Sequence, residues 1–221
     1  MHPVKTVWIS FDVECTGPVP SLHAMVDLGM VAIVERDTPD GPAFEMLTSF
    51  QALIKPPPET SWHRDTHRWW KSPEQADAYE QVFCPELQVE PVWAMRRAIE
   101  WLTELQTLFP GVPHVFAAYP ASFDWPFLNH YMHAYSSREW LKLYPEGPGV
   151  MQRIACFDIA SLGMNLLGVG YHEVSSGRMA GLGPALPENR APHTALADAV
   201  EQGHLLINLL TAAASRTGEV K

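Results

Sequence analysis

Cysteine is scarce. The 221 residues hold three, Cys15, Cys84 and Cys156, and no CxxC pair. Three distant thiols build neither a disulfide framework nor a thiolate metal site, which suits a reducing, cytoplasmic location. Charge is scarce too: Asp, Glu, Lys and Arg make up 18% of the chain, against roughly 25% in ordinary globular proteins. Positive charge is scarcest, with 15 Lys and Arg facing 25 Asp and Glu, for a formal net charge of −10. That sign excludes a general grip on duplex DNA through a basic face, so any hold on nucleic acid must be local. Long apolar runs are missing. The best candidate, LLINLLTAAA at 205–214, falls short of the ~18 residues of a membrane span and carries Asn208, so no membrane partner is expected. The first residues, MHPVKTVWISFDVE, lack the apolar core and cleavage signature of a signal peptide.

Aromatic residues and proline are present in quantity. Eight Trp and nine Phe argue for a packed core. Twenty Pro punctuate loops without any Gly-X-Y repeat. The length fits one domain, residues 1–221. Residues 5–14, 25–35 and 45–54 read as three strands joined by short loops, an antiparallel meander that the prolines of KPPPET terminate. Helices are expected from Ser72-Pro73-Glu74 onward and over 91–109, 124–135 and 195–214, with short strands at 112–119 and 154–157. Asp158 is expected to cap the helix after the last strand. The order βββ, α, β, α, β, α predicts an α/β fold: a mixed five-stranded sheet, meander plus parallel strands, flanked by helices. Residues 168–192 form a long irregular stretch rich in Gly and Pro, the kind of loop that tends to be functional or disordered.

Four acids stand in apolar settings. Asp12 and Glu14 sit at i and i+2, so on a strand both point to one side. Burying two like charges is costly unless something cationic offsets them. The alternative is that the strand ends at Asp12 and both face water. Asp124, in SFDWPFL, begins a helix, where the dipole alone would account for it. Asp198 lies in an Ala/Leu-rich helix, five residues after His193 and about 140° around from it. The two would share no helical face, so His193 is expected in the turn leading into the helix, with Thr194 as its cap. If the four acids converge, they form an oxygen-rich cage suited to Mg²⁺ or Mn²⁺. His130 and His133, three apart on one helix, read as packing or surface residues in preference to a zinc pair.

FDVECTG (11–17), SFDWPFL (122–128) and HTALADA (193–199) resemble the three motifs of the DEDDh 3′-5′ exonucleases, the proofreading-exonuclease type within the ribonuclease H-like fold. CFDIASL (156–162) is similar to a strand–helix step found there, as in ribonuclease T. The Trp-Trp stretch of 66–71 resembles the ribonuclease AS branch. Cys15 departs from the more usual Thr or Ala, and Tyr119-Pro120 replaces a His-Asn common before the second motif. The resemblance implies that Asp12, Glu14, Asp124 and Asp198 hold two divalent metal ions, with Asp12 bridging, and that His193 is the general base. Two such ions activate water and stabilise a leaving 3′-oxygen. It also implies a single-stranded 3′ end of DNA or RNA as partner, nucleoside 5′-monophosphates as product and, as in several related ribonucleases, a homodimer.

The substrate grip is expected from Ser61–Lys71, where Trp69 and Trp70 join Arg64, Arg68 and Lys71; cations with aromatic faces suit an unpaired strand. The alternative is a surface helix whose tryptophans pack on the core. Phe11, Cys15, Thr16, Phe123 and Trp125 flank the acids and are candidates to wedge the terminal nucleotide. The rival functions are a non-catalytic nucleic-acid-binding module on the same fold and a hydrolase of small phosphodiesters or nucleotides.

Overall fold

The structure is a computed structural model that describes residues 2–143 and 156–218. Five strands form one sheet in the order β3-β2-β1-β4-β5. β1 (Val4–Cys15) pairs antiparallel with β2 (Met25–Thr38), which pairs antiparallel with β3 (Gly41–Leu53). β4 (His114–Ala118) runs parallel to β1, and β5 (Phe157–Asp158) parallel to β4. The mixed five-stranded sheet is thus as expected. The hairpin turn between β2 and β3 is shorter than its Pro and Gly suggested, because pairing continues to Thr38 and Gly41. Residues 154 and 155 of the fifth expected strand lie outside the described residues.

Helices cover both faces. Val7, Ile9, Phe11 and Val13 point to one side, into a core shared with α3 (Pro91–Leu108) and α4 (Ala121–Lys142). The opposite side of the sheet carries α5 (Ile159–Leu167), α6 (Ser176–Ala180) and α7 (Ala195–Gly218). Asp158 caps α5 by accepting the Ser161 backbone N–H, the role expected of an Asp there. A smaller cluster around Trp70 and Val82 lies under α1 (Arg64–Trp70) and α2 (Ala76–Val82). No helix among the described residues is long and apolar enough to cross a membrane.

The packing of α7 on β1 and β2 matters most for the site. Gly29 in β2 is the register partner of Asp12. A Cβ on Gly29 would come within 2.2–2.3 Å of the Ala195 and Leu196 backbone. Only glycine therefore lets the N-terminus of α7 lie flat on the sheet beside Asp12. The Ser10 hydroxyl secures the contact by donating to the Ala199 carbonyl at 2.9 Å.

Candidate active site

Strand alternation puts Asp12 and Glu14 on the face of β1 that meets α7, as the i, i+2 spacing requires. Asp124 lies in the first turn of α4, which starts at Ala121, three residues earlier than expected. The residue is 2% exposed; Val13 gives its carboxyl a backbone hydrogen bond, and its Oδ2 is buried without a partner. Asp198 lies in the first turn of α7.

The four carboxyls feel one another. Burial raises Asp12 well above the usual carboxylate range, and the charges of Asp124, Glu14 and Asp198 add to this. Burial likewise raises Glu14, followed by the charges of Asp198, Asp27 and Asp124. Asp124 is pushed up to about 8, mainly by burial. Asp198 is raised by burial, with hydrogen bonds from Asn189 and the His193 backbone opposing. Like charges crowded in a dry place hold protons until a cation replaces them. Ligand atoms of Glu14, His193 and Asp198 all lie within 4.8 Å of one another. Asp12 and Asp124 are electrostatically coupled to Asp198 and Glu14 of that trio. An orphaned buried carboxylate oxygen beside an all-oxygen-and-imidazole donor set fits a hard divalent cation.

His193 lies in the turn before α7 with φ of 63°, a left-handed conformation that non-glycine residues seldom adopt. Its backbone N–H donates to Asp198 Oδ2 at 3.0 Å. Its ring meets Trp69 edge-on, with centroids 4.9 Å apart. Thr194 stands at the expected boundary, but its hydroxyl donates back to the Ala191 carbonyl. The capping group comes instead from β2: Asp27 Oδ2 accepts the Ala195 N–H at 3.0 Å.

The chain as a whole is similar to known proteins. No family model matches the chain. It is 28% identical over 211 residues to the 3′-5′ DNA exonuclease Cap18 of Escherichia coli, covering 93% of this chain and 92% of that protein. The nuclease domain of 3′hExo, a DEDDh family member solved bound to rAMP, superposes with a TM-score of 0.59 at 17% identity, over 95% of this chain and 92% of that one. The chain shares the fold of that nuclease domain. Escherichia coli Exonuclease I in complex with a dT13 oligonucleotide also matches, with a TM-score of 0.57 at 10% identity, over 96% of this chain and 42% of that one.

Within this fold the expected substrate-binding residues separate into two groups. Glu14, Cys15, Trp69, Trp70 and Phe123 line a cleft of about 430 Å³. Trp69 and Phe123 are its exposed aromatic faces, at 40% and 37%. Trp70 is 1% exposed, and its indole N–H donates to the Cys15 carbonyl, so it is a core residue with one edge at the cleft. Phe11 is wholly buried against Phe116 and Trp125, which corrects its reading as a wedge: strand alternation points it away from the acids. Trp125 is half-buried and packs in the same aromatic cluster. Thr16 is also structural, its hydroxyl clamping the Ser61 carbonyl and the Ala24 N–H. Arg64 and Arg68 pair with Asp65, and Lys71 lies over the Tyr79 ring. His130 and His133 are exposed and belong to no candidate metal group among the described residues.

Three polar residues around the acids escaped the sequence reading. Gln202 donates to Asp12 Oδ1 at 2.7 Å. Asn189 donates to Asp198 Oδ1 at 2.6 Å and to Glu201 Oε2 at 2.8 Å. Asp27 also accepts two hydrogen bonds from the Gln51 amide. An acid inside the apolar run MVDLGMV was a signal for Asp27, and the i, i+4 spacing from Asp198 was one for Gln202. Asn189 had none, because only the folded loop brings it to Asp198.

Proposed function

We propose that this chain is a metal-dependent 3′-5′ exonuclease that shortens single-stranded DNA or RNA and releases nucleoside 5′-monophosphates. The observation that carries the reading is the unpartnered, buried Asp124 Oδ2 among four mutually repelling carboxyls beside His193. Asp12, Glu14, Asp124 and Asp198 would hold two Mg²⁺ or Mn²⁺ ions. Bound there, the ions supply Lewis acidity to the phosphodiester and charge to balance the leaving oxygen. The chain's own residues do the rest. His193 accepts a proton from the attacking water at its imidazole. The water oxygen bonds to phosphorus as the P–O3′ bond breaks; the leaving 3′-oxygen takes a proton from solvent water to become a hydroxyl, and His193 returns its proton to solvent. Trp69 and Phe123 offer faces on which terminal bases stack. The DNA named for the Escherichia coli relative favours DNA as the first substrate to try.

The test is a time course on matched single-stranded DNA and RNA labelled at the 5′ end, with Mn²⁺ or EDTA. The expected result is a ladder shrinking one nucleotide at a time from the 3′ end, arrested by EDTA. Hydrolysis that persists in EDTA, or none on either polymer with Mn²⁺, would refute the reading. Activity confined to dinucleotides would favour the small-phosphodiester alternative.

A further inference from the structure

Gln202 lies on α7 one turn beyond Asp198 and is 8% exposed. Its Nε2 donates to Asp12 Oδ1 at 2.7 Å, and its Oε1 accepts the Tyr119 backbone N–H at 2.9 Å. Chemistry fixes this orientation. The Tyr119 N–H can only donate, so the amide oxygen must face it and the amino group must face Asp12. The partners come from different parts of the chain. Asp12 is on β1, and Tyr119 directly follows β4; the next residue, Pro120, accepts the Asp124 N–H at the start of α4 through its carbonyl. One amide therefore ties together the three segments that carry Asp12, Asp124 and Asp198.

We propose that Gln202 is a positioning residue for the metal site: it locks the Asp12 carboxylate in one rotamer and holds the start of α4 in register with α7. The proposal rests on the reading of Asp12 as a metal ligand. Hydrogen-bond partners of ligating carboxylates set ligand orientation, and their loss weakens metal binding by about 10–100-fold. A buried glutamine that only joined α7 to β4 would affect folding and leave metal affinity unchanged.

The experiment is calorimetric titration of Mn²⁺ into the parent protein, Gln202→Met and Asp12→Asn, with kcat, KM and the melting temperature in EDTA recorded for each. Methionine keeps the length of the side chain and removes both hydrogen bonds. The expected result for Gln202→Met is Mn²⁺ affinity about 10–100-fold weaker and kcat reduced to a similar degree, with KM for the oligonucleotide unchanged. If Gln202→Met does not fold, Gln202→Asn, one methylene too short to span both partners, takes its place with the same expectation. Parental Mn²⁺ affinity in the Gln202 variant, with weakened affinity in Asp12→Asn, overturns the proposal alone. Parental affinity in Asp12→Asn overturns the metal reading of Asp12 and the proposal with it.

Discussion

The floor and the rim of the site are built differently. On the floor, Asp12 and Glu14 ride on β1, each paired with β2, and Asp124 is fixed in the first turn of a helix packed in the main core. On the rim, His193 occupies a left-handed turn held by side-chain contacts: Asp198 to its N–H, Asp27 to the next turn, Asn189 to Asp198 and Trp69 against its ring. The floor keeps carboxyls together against their repulsion, which needs a frame that cannot yield. On the proposed function, the rim presents the group that exchanges a proton, from a turn in the left-handed conformation. Metal retention should therefore belong to the floor and proton transfer to the rim.

The largest effect should come from the acids. Asp12→Ala or Asp198→Ala is expected to abolish nucleotide release while circular dichroism stays native, because each substitution removes a proposed metal ligand and relieves crowding among the acids. Undiminished release from either variant would break the account. Next comes the rim: His193→Ala should slow release by roughly 10²–10⁴-fold with Mn²⁺ affinity retained. A variant that lost Mn²⁺ as well would erase the difference between floor and rim, and would make His193 a ligand of the trio it forms with Glu14 and Asp198.

The neighbouring tryptophans sharpen the contrast on a smaller scale. Trp70→Ala, deep in the cluster beneath α1, should destabilise the fold by about 3–5 kcal/mol in denaturant titrations. Trp69→Ala should leave stability nearly unchanged and raise KM for an oligonucleotide by about 5–100-fold, the worth of one base–aromatic stack.

The smallest effect concerns pH. Burial lifts Asp27 to about 6 and Asp124 to about 8. A carboxyl with a raised folded-state pKa favours the fold while protonated. Its contribution is complete below the unfolded value of about 4 and disappears as pH rises through the folded value. Without divalent ions, the melting temperature should therefore fall between about pH 4 and pH 8. Mn²⁺ should flatten that fall and release protons on binding. A melting temperature that rises across the window in EDTA would contradict the burial of these acids.

Much of the fold was legible because the strands are long and apolar and the helices carry clear boundaries, such as Ser72-Pro73 and Pro91. The acids were legible as anomalies: Asp12, Glu14, Asp124 and Asp198 each interrupt an apolar context. Their partners were not, since Gln202 and Asn189 are ordinary polar residues until α7 and the preceding loop fold onto β1. Face assignment failed at Phe11, where adjacency to Asp12 along the chain means the opposite side of a strand. The capping of α7 by Asp27, from a strand 168 residues away, lay beyond any local rule.

The most direct test of the central claim is anomalous diffraction from crystals of the protein soaked in Mn²⁺. The account requires anomalous density contacting Asp12, Glu14, Asp124 and Asp198 together. Density confined to Glu14, His193 and Asp198, with Asp12 and Asp124 uninvolved, or no bound ion at all, would contradict it.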